Sequence, residues 1–87
     1  MTFGRALLEL GRRAEADEAL RDAAELYREG GNTQGLAHAL ETRGTLLREL
    51  GRRDEADAAL RQSIELYRKV GDAEGEQRAL AQLAGTP

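Results

Sequence analysis

The sequence contains no cysteine or tryptophan, a single proline and only three aromatic residues among its 87. Without cysteine, neither a disulfide framework nor a thiolate metal site can form. Val, Ile and Phe occur once each, so residues that favour strands are scarce, whereas Leu and Ala, which favour helices, are abundant. The composition therefore predicts an all-α chain with a core of leucine and alanine.

A net positive charge and long apolar runs are also lacking. The net charge of −3 argues against a nucleic-acid partner, because nucleic-acid-binding domains carry a basic stripe. No apolar run approaches the ~18 residues of a membrane helix, and the first residues show no secretory pattern. We therefore expect a cytoplasmic protein that binds neither nucleic acid nor a membrane.

The residue patterns of catalytic and cofactor sites are missing too. The single histidine, His38, has no matched carboxylate or serine that would form a triad, and the glycines do not form a phosphate-binding loop. Most carboxylates alternate with arginines on predicted solvent faces, where a general acid would not have the burial that raises its pKa. We predict no catalytic residue, no cofactor and no metal site.

An internal repeat with a period of 40 residues is the strongest positive feature. When residues 4–45 are aligned with residues 44–85, 21 of the 42 positions are identical. A fixed period in this range is typical of a solenoid, in which each unit buries its apolar face against its neighbours. The sequence predicts one domain over residues 1–87, with units at about 4–43 and 44–85 and the last helix as a cap.

Glycines mark the predicted joints, because a glycine just past a helix end can adopt the left-handed conformation. Gly11 and Gly51 are equivalent in the repeat, as are Gly31 and Gly71. Asn32 and the equivalent Asp72 are good N-cap residues. The pattern predicts a short helix at 3–10 and further helices near 13–29, 33–50, 53–69 and 73–84, about five in all.

Apolar spacing assigns a core face to each long helix. The predicted core positions of the three central helices are Ala16, Ala19, Leu20, Ala23, Ala24 and Tyr27; Leu36, Ala39, Leu40, Gly44, Leu47 and Leu50; and Ala56, Ala59, Leu60, Ser63, Ile64 and Tyr67. The alternating charges at Asp17, Arg21 and Glu25 predict a solvated stripe on the opposite side.

These units resemble tetratricopeptide repeats, a family of helix–turn–helix units stacked into a superhelix. The resemblance covers nearly the whole chain. It rests on Leu40, Gly44, Leu47, Gly51, Glu55, Ala56, Leu60 and Ser63, on Gly4, Leu7, Gly11, Glu15, Ala16, Leu20 and Ala23 before them, and on Leu80, Leu83 and Ala84 after them. The period is 40 rather than the family's common 34, as in a longer variant of the family. Arg43 stands where the family usually has Leu, and either its stem covers apolar surface while the guanidinium reaches water, or it binds an acidic residue of a partner.

The resemblance implies a function in protein binding. In the family, the first helices of successive units line a concave face that holds a peptide or partner protein. The positions that this implies here are Arg5, Glu9, His38, Glu41, Thr42, Thr45, Arg48, Glu49, Arg78 and Gln82.

A second function remains open, in which the chain is a homo-oligomerising element or a spacer of a larger regulatory protein. Phe3 and Leu7 at the N-terminal end have little predicted cover. We expect that end to be shielded by self-association, forming a homodimer, or by sequence preceding residue 1.

Overall fold

Residues 2–85 fold into four helices joined by connections of two or three residues. The structure, a computed structural model, describes the backbone of residues 2–85 and the side chains of residues 11–85. The helices are α1 (Thr2–Gly30), α2 (Thr33–Glu49), α3 (Arg53–Val70) and α4 (Ala73–Leu83). Residues 2–85 contain no strand, and none of their helices is long and apolar enough to cross a membrane. The all-α class is confirmed.

The predicted starts of α2 and α4 are confirmed in detail. Gly31 and Gly71 adopt φ angles of 75° and 76°, which ends the preceding helices in the left-handed conformation. The side chains of Asn32 and Asp72 then each accept a hydrogen bond from a backbone N–H three residues later, at 2.9 and 3.0 Å. Each cap satisfies a helix-terminal N–H that would otherwise lack a partner.

The predicted joint at Gly11 is wrong. The stretches 3–10 and 13–29 belong to one continuous helix, so the described residues form four helices where about five were expected. Gly51, the equivalent residue, adopts a φ of 82° and turns the chain, whereas Gly11 lies within α1. Glycine tolerates both conformations, so the shared local sequence does not distinguish a turn from a helix.

The core lies mainly around α3, which packs against both α2 and α4, while α2 also packs against α1. All six core positions predicted for α3 are buried: Ala56, Ala59, Leu60, Ser63, Ile64 and Tyr67. The helices approach closely at Gly44 of α2, where an added Cβ would lie 2.7 Å from Leu60 Cγ. The prediction that small residues allow close helix packing is therefore confirmed at this crossing.

The predicted core face of α1 is mostly wrong. Of its six predicted positions only Ala24 is buried, whereas Ala19 and Tyr27 are exposed and the others are intermediate. Asp17, predicted to lie on the solvated stripe, is only 4% exposed. The periodicity identified a stripe that could be buried, but among the described elements α2 alone packs on α1, so much of the face stays uncovered.

The predicted core face of α2 is confirmed except for Leu50, which is partly exposed. Two further residues of α2 are buried, Ala37 and Glu41. Both lie on the side of α2 that faces α3 and α4: Ala37 packs with the buried residues Leu60 and Tyr67.

Candidate functional site

Helices α2 and α4, which the repeat register assigns as the first helices of successive units, lie side by side and are joined by polar side chains. We call the exposed face along this contact the α2–α4 surface; the residues predicted for it whose side chains the structure describes are His38, Glu41, Thr42, Thr45, Arg48, Glu49, Arg78 and Gln82. At one end, the side-chain amide of Gln34 donates to Asp72 Oδ2 at 2.8 Å. Hydrogen bonds from the Gly75 N–H and from Gln34 hold the pKa of Asp72 below its usual value.

The carboxylate of Glu41 occupies the middle of this contact and is 7% exposed. The Tyr67 hydroxyl donates to its Oε1 at 2.6 Å, and the Gln82 amide donates to its Oε2 at 3.0 Å. The Arg78 guanidinium donates to both oxygens, at 3.2 and 3.3 Å. A buried carboxylate is stable only with such partners, and here three side chains from α3 and α4 supply them.

Burial and mutual hydrogen bonding determine the protonation of this cluster. Burial, together with the hydrogen bond to Glu41, raises the pKa of Tyr67 to about 12. The hydrogen bond to Glu41 and the charge of that carboxylate raise the pKa of Arg78. The guanidinium carbon of Arg78 also lies 6.0 Å from the centre of the Tyr67 ring, at the outer limit of a cation–π contact. Tyr67 therefore stays protonated, and Arg78 charged, at neutral pH.

Four of the predicted site residues thus come together: Glu41, Thr45, Arg78 and Gln82. The Thr45 hydroxyl donates to Gln82 Oε1, which continues the network from α4 back to α2. The carboxylate of Glu41 is engaged inside the chain. About half of the Arg78 side chain remains exposed, so this residue can contact the chain and a further molecule at once.

Three further predicted residues of α2 lie along the same face or at its end. His38 and Thr42 are exposed, and the Thr42 hydroxyl donates to the His38 carbonyl at 3.0 Å. Arg48 is partly exposed beside Leu83 in a shallow depression at the end of the two helices, and it has no ion-pair partner among the described residues.

The other predicted site residues are not part of the network. Glu49 forms an exposed ion pair with Arg13 of α1 at 3.1 Å, which directs its charge away from α4. Arg5 and Glu9 lie outside the residues whose side chains are described.

Arg43 binds a residue of its own chain. Its Nε donates to Asp17 Oδ1 at 2.8 Å, and the two side chains are 20% and 6% exposed. The guanidinium therefore neutralises a buried carboxylate of α1, rather than reaching solvent or remaining free for an acidic partner.

Sequence reasoning missed the part that Tyr67 plays in the site. Its spacing correctly placed it in the core, and periodicity alone carries no information on its hydroxyl group. A signal was present, because a buried tyrosine hydroxyl usually requires a hydrogen-bond partner. The partner could not be chosen from sequence, because Glu41 lies 26 residues away on another helix.

The residues 11–85 contain no group of three or more His, Asp or Glu side chains that could hold a metal ion. The chain has no match among the curated proteins or the solved structures compared with it. The model of the tetratricopeptide repeat family matches residues 1–69, which is most of the chain and includes α1, α2 and all of α3 except its last residue. Together with the stacked antiparallel helices, this match shows that the chain belongs to the tetratricopeptide repeat family, whose members are helical protein-interaction modules.

Proposed function

We propose that this chain is a non-catalytic module that binds a peptide or a segment of a partner protein along the α2–α4 surface. The observation that carries the proposal is the Glu41 network, which fixes Arg78 and Gln82 of α4 against Glu41 and Thr45 of α2 before any partner arrives. Side chains that are already ordered lose little conformational entropy on binding, so a preorganised surface binds more tightly.

The exposed groups of this surface indicate the chemistry of the partner. His38, Thr42 and Thr45 present polar atoms, and Arg48 forms no ion pair among the described residues. The depression beside Arg48 is also lined by Arg53, Asp57, Leu83 and Ala84, so its two arginines outnumber its one carboxylate. We infer a segment that places an acidic side chain against Arg48 and a small apolar side chain against Leu83.

The same network argues for binding rather than catalysis. The Glu41 carboxylate is the most buried acidic group of the surface, and it accepts hydrogen bonds from three side chains. It therefore acts in positioning its neighbours and is not available as a base towards a bound molecule.

The test is a selection of binders from a random peptide library, followed by mapping of the bound peptide with NMR chemical shifts. We expect selected peptides to be acidic and to perturb the backbone signals of Thr42, Thr45, Arg48 and Gln82. Arg48→Glu should weaken binding by about tenfold or more, because a like charge replaces the complementary one.

The matched control is Arg61→Glu, which makes the same change of charge on the exposed side of α3. It should leave peptide binding unaltered. Peptides whose shifts map to α3, or binding that Arg48→Glu and Arg61→Glu weaken equally, would contradict the proposed surface.

The second function, self-association, is favoured by a different observation, namely the uncovered face of α1. That face lies outside the α2–α4 surface.

A further inference from the structure

The uncovered face of α1 has a covered counterpart in the same molecule. Ala59, Leu60 and Tyr67 of α3 are 3%, 0% and 0% exposed, whereas Ala19 is exposed, Leu20 is partly exposed, and Tyr27 is 37% exposed. The residues are identical at these three pairs of positions, so the difference in burial arises from the neighbouring helices.

The end of α2 covers the face of α3 that includes Ala56, Ala59 and Leu60. Leu47 packs with Ala56 and Ala59, and Gly44 crosses directly above Leu60. The segment 44–50 thus acts as the cover, and it reaches α3 because the chain turns at Gly51.

A segment with matching sequence exists for the face of α1, at residues 4–10. Gly4, Leu7, Glu9 and Leu10 repeat Gly44, Leu47, Glu49 and Leu50 at a distance of 40 residues. Gly4 is informative, because any residue with a Cβ at the equivalent position 44 would collide with Leu60. The segment 4–10 therefore carries the glycine and the leucines that this crossing requires.

Within one chain, however, this segment cannot cover its own α1 face. Residues 4 and 20 belong to the same continuous helix. At a rise of 1.5 Å per residue they lie about 24 Å apart along the helix axis. Residues 4–10 can therefore cover this face only in a second copy of the chain, unless the helix opens at Gly11.

We propose that two copies of this chain pair their α1 helices antiparallel, so that residues 4–10 of each copy cover the Ala16–Ala19–Leu20–Ala23 face of the other. If residues 4–10 of one copy cross α1 of the other as residues 44–50 cross α3, residue 4 lies opposite residue 20 of the other copy. The two-fold axis then passes near residue 12, and the same contact forms twice, as an isologous dimer requires. The arrangement is a domain swap. The chain turns at Gly51, whereas the helix continues straight through the equivalent Gly11, and the covering segment therefore packs on the partner copy.

The alanines of this face suit such a pairing. Ala16, Ala19 and Ala23 present only methyl groups, so the glycine of an opposing helix can approach as closely as Gly44 approaches α3. The exchanged dimer leaves the α2–α4 surface open, so dimerisation and partner binding can be tested separately.

A disulfide trap tests the pairing, since the chain has no cysteine of its own. In Gly4→Cys/Leu20→Cys, the exchanged dimer brings Cys side chains of two copies together. We expect mild oxidation to give a covalent dimer on a non-reducing denaturing gel. The matched control is Gly44→Cys/Leu60→Cys, whose side chains meet within one chain and should give an internally linked monomer.

Two results of the trap would overturn the proposal. An internally linked monomer of Gly4→Cys/Leu20→Cys would show that α1 opens at Gly11 and closes as a hairpin. Absence of any link, while the control variant does form its disulfide, would show that residues 4 and 20 do not meet in either way.

Light scattering over a hundredfold range of concentration provides a second test that needs no oxidation. We expect wild type to be a dimer and Ala19→Arg to raise the dissociation constant roughly thirtyfold or more, because each dimer contains the substitution twice at a buried contact. Ala58→Arg makes an equally exposed change on α3 and should leave the dimer intact. A monomeric wild type, or an Ala19→Arg variant that dimerises like wild type, would refute the exchange.

Discussion

The second helices of the two repeats share much of their sequence and differ in how they are buried. Residues 14–30 and 54–70 are identical at ten of 17 aligned positions. In α3, six residues of the apolar stripe are buried, whereas in α1 the same stripe has a single buried apolar residue, Ala24. The sequence pattern therefore defines which face of a helix can be buried, and the neighbouring helices decide whether it is.

The two tyrosines of these helices show the difference at one position. Both rings pack on a glycine in the first turn of the next helix: an added Cβ would lie 2.7 Å from Tyr27 at Gly35 and 2.5 Å from Tyr67 at Gly75. Only Tyr67 is also covered by two helices and hydrogen-bonded to Glu41. The local contact is therefore a property of the repeat, and the buried network is a property of the place where α2, α3 and α4 meet.

The largest expected difference between the repeats concerns these rings. Tyr67→Ala should lower the free energy of unfolding by about 3–5 kcal/mol, because it empties a fully buried site. Tyr27→Ala should cost about 1 kcal/mol or less, since over a third of that residue is already exposed. Urea denaturation followed by circular dichroism measures both losses of stability. Each variant also carries Ala19→Arg, which should weaken the proposed dimer, so that the measured stability is that of the single chain. Equal losses at the two positions would show that the repeats are equally covered.

The pair Arg43–Asp17 is a polar contact specific to the first repeat, since Leu83 stands at the position equivalent to Arg43. Arg43→Leu should destabilise the chain by about 2–3 kcal/mol, because it leaves the buried Asp17 carboxylate unpaired. Asp17→Ala/Arg43→Leu should recover most of this loss. Urea denaturation of the single and double variants gives the coupling energy.

A matched control for these single and double variants is Asp57→Ala, which removes the equivalent but partly exposed carboxylate of α3. It should change stability by less than about 0.5 kcal/mol. A rise in stability with Arg43→Leu alone would mean that Asp17 is hydrated and does not depend on the ion pair.

The two equivalent glycines should respond to alanine with opposite signs. Gly51→Ala should destabilise by about 1 kcal/mol, because an L residue is strained at a φ of 82°. Gly11→Ala should stabilise by about 0.5–1 kcal/mol, because Gly11 is helical and an added Cβ meets no atom within 4 Å. Thermal unfolding of both variants is the measurement. Destabilisation by Gly11→Ala would indicate that the first repeat turns at Gly11 as the second does at Gly51.

A dependence of stability on alkaline pH comes from Tyr67. Its pKa is about 12 in the folded chain and about 10 in an unfolded one. Between these values the unfolded state loses the proton first, so the stabilisation is complete below pH ~10 and is lost as the pH rises towards ~12. Urea midpoints measured across this range should fall less steeply for Tyr67→Phe than for wild type.

At neutral pH, Tyr67→Phe should cost about 1 kcal/mol, because Glu41 loses one donor but keeps Arg78 and Gln82. Tyr27→Phe serves as the control, because it leaves Tyr67 in place and should retain the alkaline loss of wild type. Parallel pH profiles for Tyr67→Phe and wild type would show that the buried hydroxyl does not govern this transition.

Much of the fold followed from sequence, because its signals are local. The caps Asn32 and Asp72, the helix-ending Gly31 and Gly71, and the core face of α3 were all predicted. Each depends on backbone preference or on spacing within one helix.

The candidate site could be predicted from the sequence only in outline. The repeat register assigned α2 and α4 as the first helices of their units, and four predicted residues do meet there: Glu41, Thr45, Arg78 and Gln82. It did not show that the Glu41 carboxylate is engaged with Tyr67, nor that Arg43 pairs with Asp17. Such contacts join residues on different helices, and the 40-residue period gives no distance between them.

By itself the sequence determined an all-α repeat with capped helices and amphipathic faces, because helix propensity, capping and periodicity act over a few residues. Only the tertiary structure decided which of two equivalent glycines turns the chain and which of two equivalent faces is covered. It also decided which carboxylates are buried and hydrogen-bonded to side chains of other helices. The physical reason is that glycine permits both backbone conformations and that burial depends on the atoms of neighbouring helices. Gly11 and Gly51 therefore share a local sequence and differ in conformation.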